Sequence, residues 1–166
     1  MSKFRLAGLI ATLLLLCAAA VSAQDLAVGF QITDQFKGFS FKYPMAPGQI
    51  IQPIINLSAS DTANSNDMKG TFAVRVLYDR GVKGSYRGYF GWGVGMETVK
   101  TTNNSIIVKN ETNYGVQGFV GLETARPGAA ISTSVELTLG MLEDGSSSGG
   151  GYKAGFGLGL GLHYYF

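Results

Sequence analysis

Cysteine occurs once in these 166 residues, at Cys17, and histidine once, at His163. A disulfide framework needs pairs of cysteines, and a structural zinc site needs four Cys or His ligands, so both are excluded. Charged residues make up only 14% of the chain. Beyond the first two dozen residues no apolar run approaches the ~20 residues of a membrane-crossing helix. Proline is also scarce, at four residues, and three of these, Pro44, Pro47 and Pro53, fall within ten positions of one another.

The start of the chain is different in kind. Lys3 and Arg5 precede an apolar stretch over residues 6–21, interrupted only by Gly8 and Thr12, and Val21-Ser22-Ala23 follows. A charged opening, a short apolar centre and a small-residue end read as a secretory signal peptide over residues 1–23, with cleavage after Ala23. Cys17 is not read as a lipidation site, because Leu16 stands where such signals carry a small residue. The leader holds two of the 13 basic residues and none of the 11 acidic ones, so residues 24–166 are neutral overall. That balance argues against a nucleic-acid partner, which needs a basic patch.

What the chain does have is glycine, 24 residues, and a period of two. Every second residue from Tyr152 is apolar or aromatic: Ala154, Phe156, Leu158, Leu160, Leu162, Tyr164 and Phe166. The alternate positions hold Lys153, four glycines, His163 and Tyr165. This is a β-strand with one greasy face, longer than the five or six residues usual in soluble sheets and long enough to cross hydrocarbon at a tilt. Seven earlier segments alternate in the same way, over residues 26–33, 38–43, 49–58, 70–79, 85–98, 111–124 and 130–142. The third contains Pro53, which has no ladder donor, and is read as a strand with a bulge or local break.

Eight sequential strands imply an all-β, antiparallel up-and-down transmembrane barrel over residues 24–166. Connections rich in Pro or Gly follow strands two, four and six. Longer polar ones, at residues 59–69, 100–110 and 143–151, follow strands three, five and seven. Short turns on the periplasmic side and long loops outside are the rule for outer-membrane barrels, and only the first outer connection, residues 34–37, departs from it by being short. The greasy face is assigned to lipid, because a soluble exterior would otherwise be built on the glycines of strands five and eight. Tyr43, Tyr78, Tyr86, Tyr164 and Phe166 are placed at the periplasmic rim, and Phe39, Phe72, Tyr114 and Tyr152 at the outer rim, as interfacial girdles.

The inward face then collects Lys42, Arg75 and Arg87 with Glu97, Glu123 and Glu136, three charges of each sign, expected to pair within the narrow interior. The glycine stripes leave room for long neighbours such as Arg75, Tyr89 and Phe119. The glycine run from Gly155 to Gly161 keeps strict period two and opens no helix, so it is not a nucleotide fingerprint. His163 faces inward near the periplasmic end, with no acid and nucleophile beside it in sequence to complete a triad. No pattern calls for a catalytic residue, a metal or a cofactor.

The leader, the eight alternating strands, the loop asymmetry and the Gly-Leu-His-Tyr-Tyr-Phe ending resemble the small eight-stranded bacterial outer-membrane barrels, the group of the OmpA transmembrane domain, OmpX and the opacity proteins. The resemblance implies export to the outer membrane, contact with its lipid, and recognition of the C-terminal strand ending in Phe166 by the barrel-assembly machinery. It implies a non-enzymatic protein, structural or interacting through its outer loops. A small-solute channel and a lipid-modifying enzyme using His163 are the alternatives.

Overall fold

The computed structural model describes residues 26–61, 65–103, 106–124, 130–144 and 151–166. They form eight strands: β1 (Ala27–Ile32), β2 (Lys37–Ala46), β3 (Gln49–Asp61), β4 (Ser65–Lys83), β5 (Tyr86–Asn103), β6 (Ile106–Thr124), β7 (Ile131–Asp144) and β8 (Gly151–Tyr165). Each pairs antiparallel with its sequence neighbour, and β1 pairs with β8 to close the ring. Residues 1–23, read as a leader, lie outside the described residues. No helix among the described residues is long and apolar enough to cross a membrane.

The two faces are sorted inside out relative to a soluble barrel. Phe39, Leu139, Phe156 and Leu158 are exposed on the exterior, whereas Arg75, Lys42, Gln52 and Glu136 are buried inside. The period of two is the cause: successive side chains on a strand leave opposite sides of the sheet, so greasy and polar positions separate without any folding choice.

One cross-strand row shows how the ring is staggered. Starting at Leu162 on β8, it passes through Phe30, Phe39, Ile55, Phe72, Met96 and Tyr114. Past Glu143 it returns to β8 at Tyr152, ten residues from where it began. A stagger of that size over eight strands tilts them by roughly 40°. The row therefore climbs, and Phe39 stands roughly 20 Å lower than Tyr152. This corrects the outer girdle: Tyr114 and Tyr152 sit at the rim, while Phe39 and Phe72, assigned to it by position along the strand, lie deeper in the apolar band.

Pro53 is accommodated as a local break. β3 continues through it and pairs Pro53 with Val74 on β4. On the β2 side the ladder holds at Ser40 with Ile54 and at Tyr43 with Ile51, and skips the positions between. The missing N–H thus faces β2, while the β4 side keeps its ladder. The turn after β2 uses Gly48 at φ 72°, a left-handed conformation that glycine adopts without strain.

The polar stretches 59–69 and 100–110 are strand over most of their length. β3 reaches Asp61 and β4 starts at Ser65, while β5 reaches Asn103 and β6 starts at Ile106. Their Ser, Thr and Asn residues lack the greasy alternation that marks a spanning strand, yet the hydrogen-bonded ladder continues; Lys100 and Asn110, for example, stand opposite each other, two residues beyond the Thr98–Thr112 pair whose hydroxyls are 3.2 Å apart. The result is a four-stranded sheet, β3 to β6, standing above the Tyr114–Tyr152 rim.

Candidate functional site

The barrel interior carries the chemistry-bearing side chains, in two ion-paired groups, one of which an amide ties to the histidine. Nearer the periplasmic end, Lys42 Nζ lies 2.6 Å from Glu123 Oε1. The same carboxylate oxygen accepts from Ser132 Oγ at 2.6 Å and Tyr165 Oη at 3.0 Å. Farther in, Arg75 Nη2 lies 2.7 Å from Glu136 Oε2, and Tyr89 Oη donates to Glu136 Oε1 at 2.7 Å. The Arg75 guanidinium also lies over the Phe119 ring, 3.7 Å from its centroid. Both ion pairs are buried almost completely. Each charge has an opposite partner; Glu123, Arg75 and Glu136 have further hydrogen bonds, Lys42 lies over the Tyr89 and Tyr165 rings, and Arg75 Nε alone of the guanidinium nitrogens is left without a partner among the described residues.

Gln52 links the arginine group to the histidine. Its Oε1 accepts from Arg75 Nη1 at 3.0 Å, and its Nε2 lies 3.2 Å from His163 Nε2 and 3.3 Å from Ser40 Oγ. Ser40 Oγ and His163 Nε2 are 2.6 Å apart.

The six charges read as interior do not form one network. Lys42 with Glu123 and Arg75 with Glu136 are the two buried pairs. Glu97 turns to Lys69, 2.9 Å away near the outer end, and Arg87 turns to Asp79, 3.3 Å away at the first turn above the periplasmic rim. Both of these pairs are partly exposed. The registers explain the outcome: Lys69 and Asp79 are inward-facing neighbours of Glu97 and Arg87 at the ends of β4 and β5, where the interior opens to water. All six lie at inward-facing strand positions, and the partner of each depends on cross-strand register and stagger. Gln52, Ser40, Tyr89 and Ser132 were legible as inward-facing polar residues. Their convergence was not.

Glycines shape the space these long side chains occupy. A Cβ on Gly93 would meet Arg75 Cγ at 2.7 Å, one on Gly91 would meet Phe119 Cζ at 2.5 Å, and one on Gly121 would meet Tyr89 Cζ at 2.6 Å. Gly91 and Gly93 belong to the β5 stripe expected to leave room for Phe119 and Arg75, whereas the space for Tyr89 comes from Gly121 on β6 and the β8 glycines face other side chains.

Chemically, the arrangement holds charges; it does not present them. Ser40 and His163 make a hydroxyl–imidazole contact, but both are sealed from solvent, and His163 Nδ1 has no protein partner to orient the ring. Nucleophilic catalysis needs an oriented base and room for a substrate beside the hydroxyl. Neither condition is met. No cluster of His, Cys, Asp or Glu with metal-binding geometry occurs among the described residues.

No protein-family model and no curated relative match the chain. Solved structures do. Neisserial surface protein A superposes with a TM-score of 0.55 at 11% identity, covering 86% of this chain and 94% of its own. Ail, the attachment invasion locus protein of Yersinia pestis, gives 0.53 at 11% identity, with coverage of 86% and 97%. The N-terminal barrel domain of Pseudomonas aeruginosa OprF gives 0.52 at 12% identity, with coverage of 86% and 96%. At such identities the likeness concerns the fold, and the chain has the fold of the small eight-stranded outer-membrane β-barrels.

Proposed function

We propose that this protein is a non-enzymatic integral barrel of the bacterial outer membrane, exported by way of residues 1–23, which acts through contacts made by the raised ends of β3 to β6. The observation that carries this reading is the division of labour along the strands. The lower part wears an apolar exterior over a packed, charge-paired interior. The upper part continues as a hydrogen-bonded sheet whose outer face, at Thr98, Lys100, Asn110 and Thr112, is polar. A sheet held up above the rim on a rigid base presents a defined surface at little entropic cost. Its scarcity of aromatic anchors favours a polar, moderate contact over a tight one. The name of Ail refers to attachment and invasion, and its fold likeness is consistent with a surface role here.

The test is cellular. Bacteria displaying the full-length chain are compared, for adherence to epithelial monolayers, with bacteria displaying a chain whose β5–β6 hairpin is cut back to Thr98 and Thr112 and closed by Asn-Gly. Loss of adherence at equal surface abundance is the expected result. Equal adherence of the two strains sinks the reading.

A further inference from the structure

The first connection, residues 33–36, is short, as its sequence implied, but it does not stay in the wall. β1 ends at Ile32, opposite Leu160 of β8, and β8 runs on through residues 151–159 beyond that last pair. β2 meets β3 only as far up as Phe39 and Ile55, and β3 continues to Asp61. The β1–β2 hairpin therefore stops well below the outer rim, leaving a notch in the wall between β8 and β3. At the notch the hairpin tip turns inward.

The tip is a tight turn with its own fastenings. The Thr33 amide donates to Phe36 O at 2.8 Å, and the Phe36 amide donates to Thr33 Oγ1 at 2.9 Å. Thr33 Oγ1 lies 3.3 Å from Gln117 Oε1 on β6, across the lumen. Phe36 is fully buried and packs with Ile54 and Ala73.

The wall facing the tip is made of glycine. A Cβ on Gly95 would meet Phe36 Cε1 at 2.7 Å, and one on Gly115 would meet Phe36 Cζ at 3.3 Å. A Cβ on Gly157 would meet Asp34 Cβ at 2.7 Å, one on Gly155 would meet Asp34 Oδ2 at 2.9 Å, and one on Gly140 would run into the Gln35 amide. Four strands, β5 to β8, thus lack side chains at the positions the tip fills. Glycine costs a strand packing and backbone entropy, so a set of glycines around one inserted turn marks a close approach that the wall is shaped to receive.

We propose that residues 33–36 are a plug: an inserted turn that closes the upper lumen and seals the notch between β8 and β3 against the outer leaflet. It is held by shape, by Phe36 and by the Thr33–Gln117 contact, with no ion pair among the described residues, and so forms a latch separate from the charge pairs beneath it. Without the tip, the polar inner wall of the upper barrel would open sideways at hydrocarbon depth, where unsatisfied backbone and polar groups are costly.

Two measurements test this. In chain refolded into lipid vesicles with Cys17→Ser, a thiol introduced by Ala73→Cys lies directly beneath the plug. It should react slowly with a charged, water-soluble methanethiosulfonate reagent, and roughly tenfold or more faster when Gln35→Gly and Phe36→Gly remove the tip's reach, since labelling reports local opening. Equal rates in the two folded proteins overturn the proposal. Separately, Asp34→Cys with Gly157→Cys brings two Cβ atoms to 2.7 Å, which need to separate by about 1 Å to reach the Cβ spacing of a disulfide. The two cysteines should join under mild oxidation, with loss of both free thiols, even if the glycine variant does not fold. Two thiols that stay free in the folded barrel also overturn it.

Discussion

At the scale of single residues, Glu136 shows how the interior is stabilised. Its two oxygens are divided between Arg75 and Tyr89, at 2.7 Å each, with almost no solvent contact. Glu136→Leu would leave a buried guanidinium with only the Gln52 amide and the Phe119 face, and should cost about 3–5 kcal/mol. Replacing both partners, Arg75→Leu with Glu136→Leu, removes the stranded charge and should cost less than the single change. Urea unfolding from lipid vesicles measures both; a double variant weaker than the single one would refute this account of the pair. Gln52 acts differently. It carries no charge, yet among the described residues it alone joins the arginine group to Ser40 and His163, so its role became visible only once four strands were seen together.

At the scale of elements, strand ends matter more than strand centres. The Phe166 amide donates to Leu26 O at 3.1 Å, and the Tyr165 amide to Ala130 O at 2.7 Å, which ties the last residues to both neighbouring strands. The Phe166 ring meets Tyr164 edge-on, with centroids 5.2 Å apart. Removing Phe166 takes away one hydrogen bond and one ring contact at the rim, on the order of 1–2 kcal/mol. Refolding in detergent should therefore be nearly normal. If the C-terminal strand is also what the assembly machinery reads, the yield in the outer membrane should fall far more than that energy explains. Comparable losses in vitro and in cells would make Phe166 merely structural. Pro53 and the 59–69 and 100–110 stretches teach a related lesson: ladder hydrogen bonds continue where side-chain alternation fades, so strand length outran what periodicity could show.

At the scale of the whole molecule, orientation in the bilayer can be read from a single probe. Trp92 is the sole tryptophan, half exposed on the apolar exterior. On β5 it lies four residues toward the periplasm from Met96, and the tilted ladder sets it within the hydrocarbon band, away from either rim. Its fluorescence should be blue-shifted on folding into vesicles and quenched by bromines midway along the acyl chains, more than by those near the headgroup. Strong quenching by aqueous iodide instead would mean that the greasy face does not meet lipid.

The sequence by itself determined the strands, their order, and which face of each turned outward, because a period of two is a local property of the chain and hydrocarbon sorts the two faces. It also marked the inner charges and the glycine space. Only the tertiary structure decided that Arg87 and Glu97 leave the buried group, that Phe39 sits deep in the band, and that residues 33–36 fold into the lumen. Each of these depends on the ten-residue stagger with which the ring closes and on distances across its interior. Those quantities exist only between strands, and no single stretch of sequence contains them.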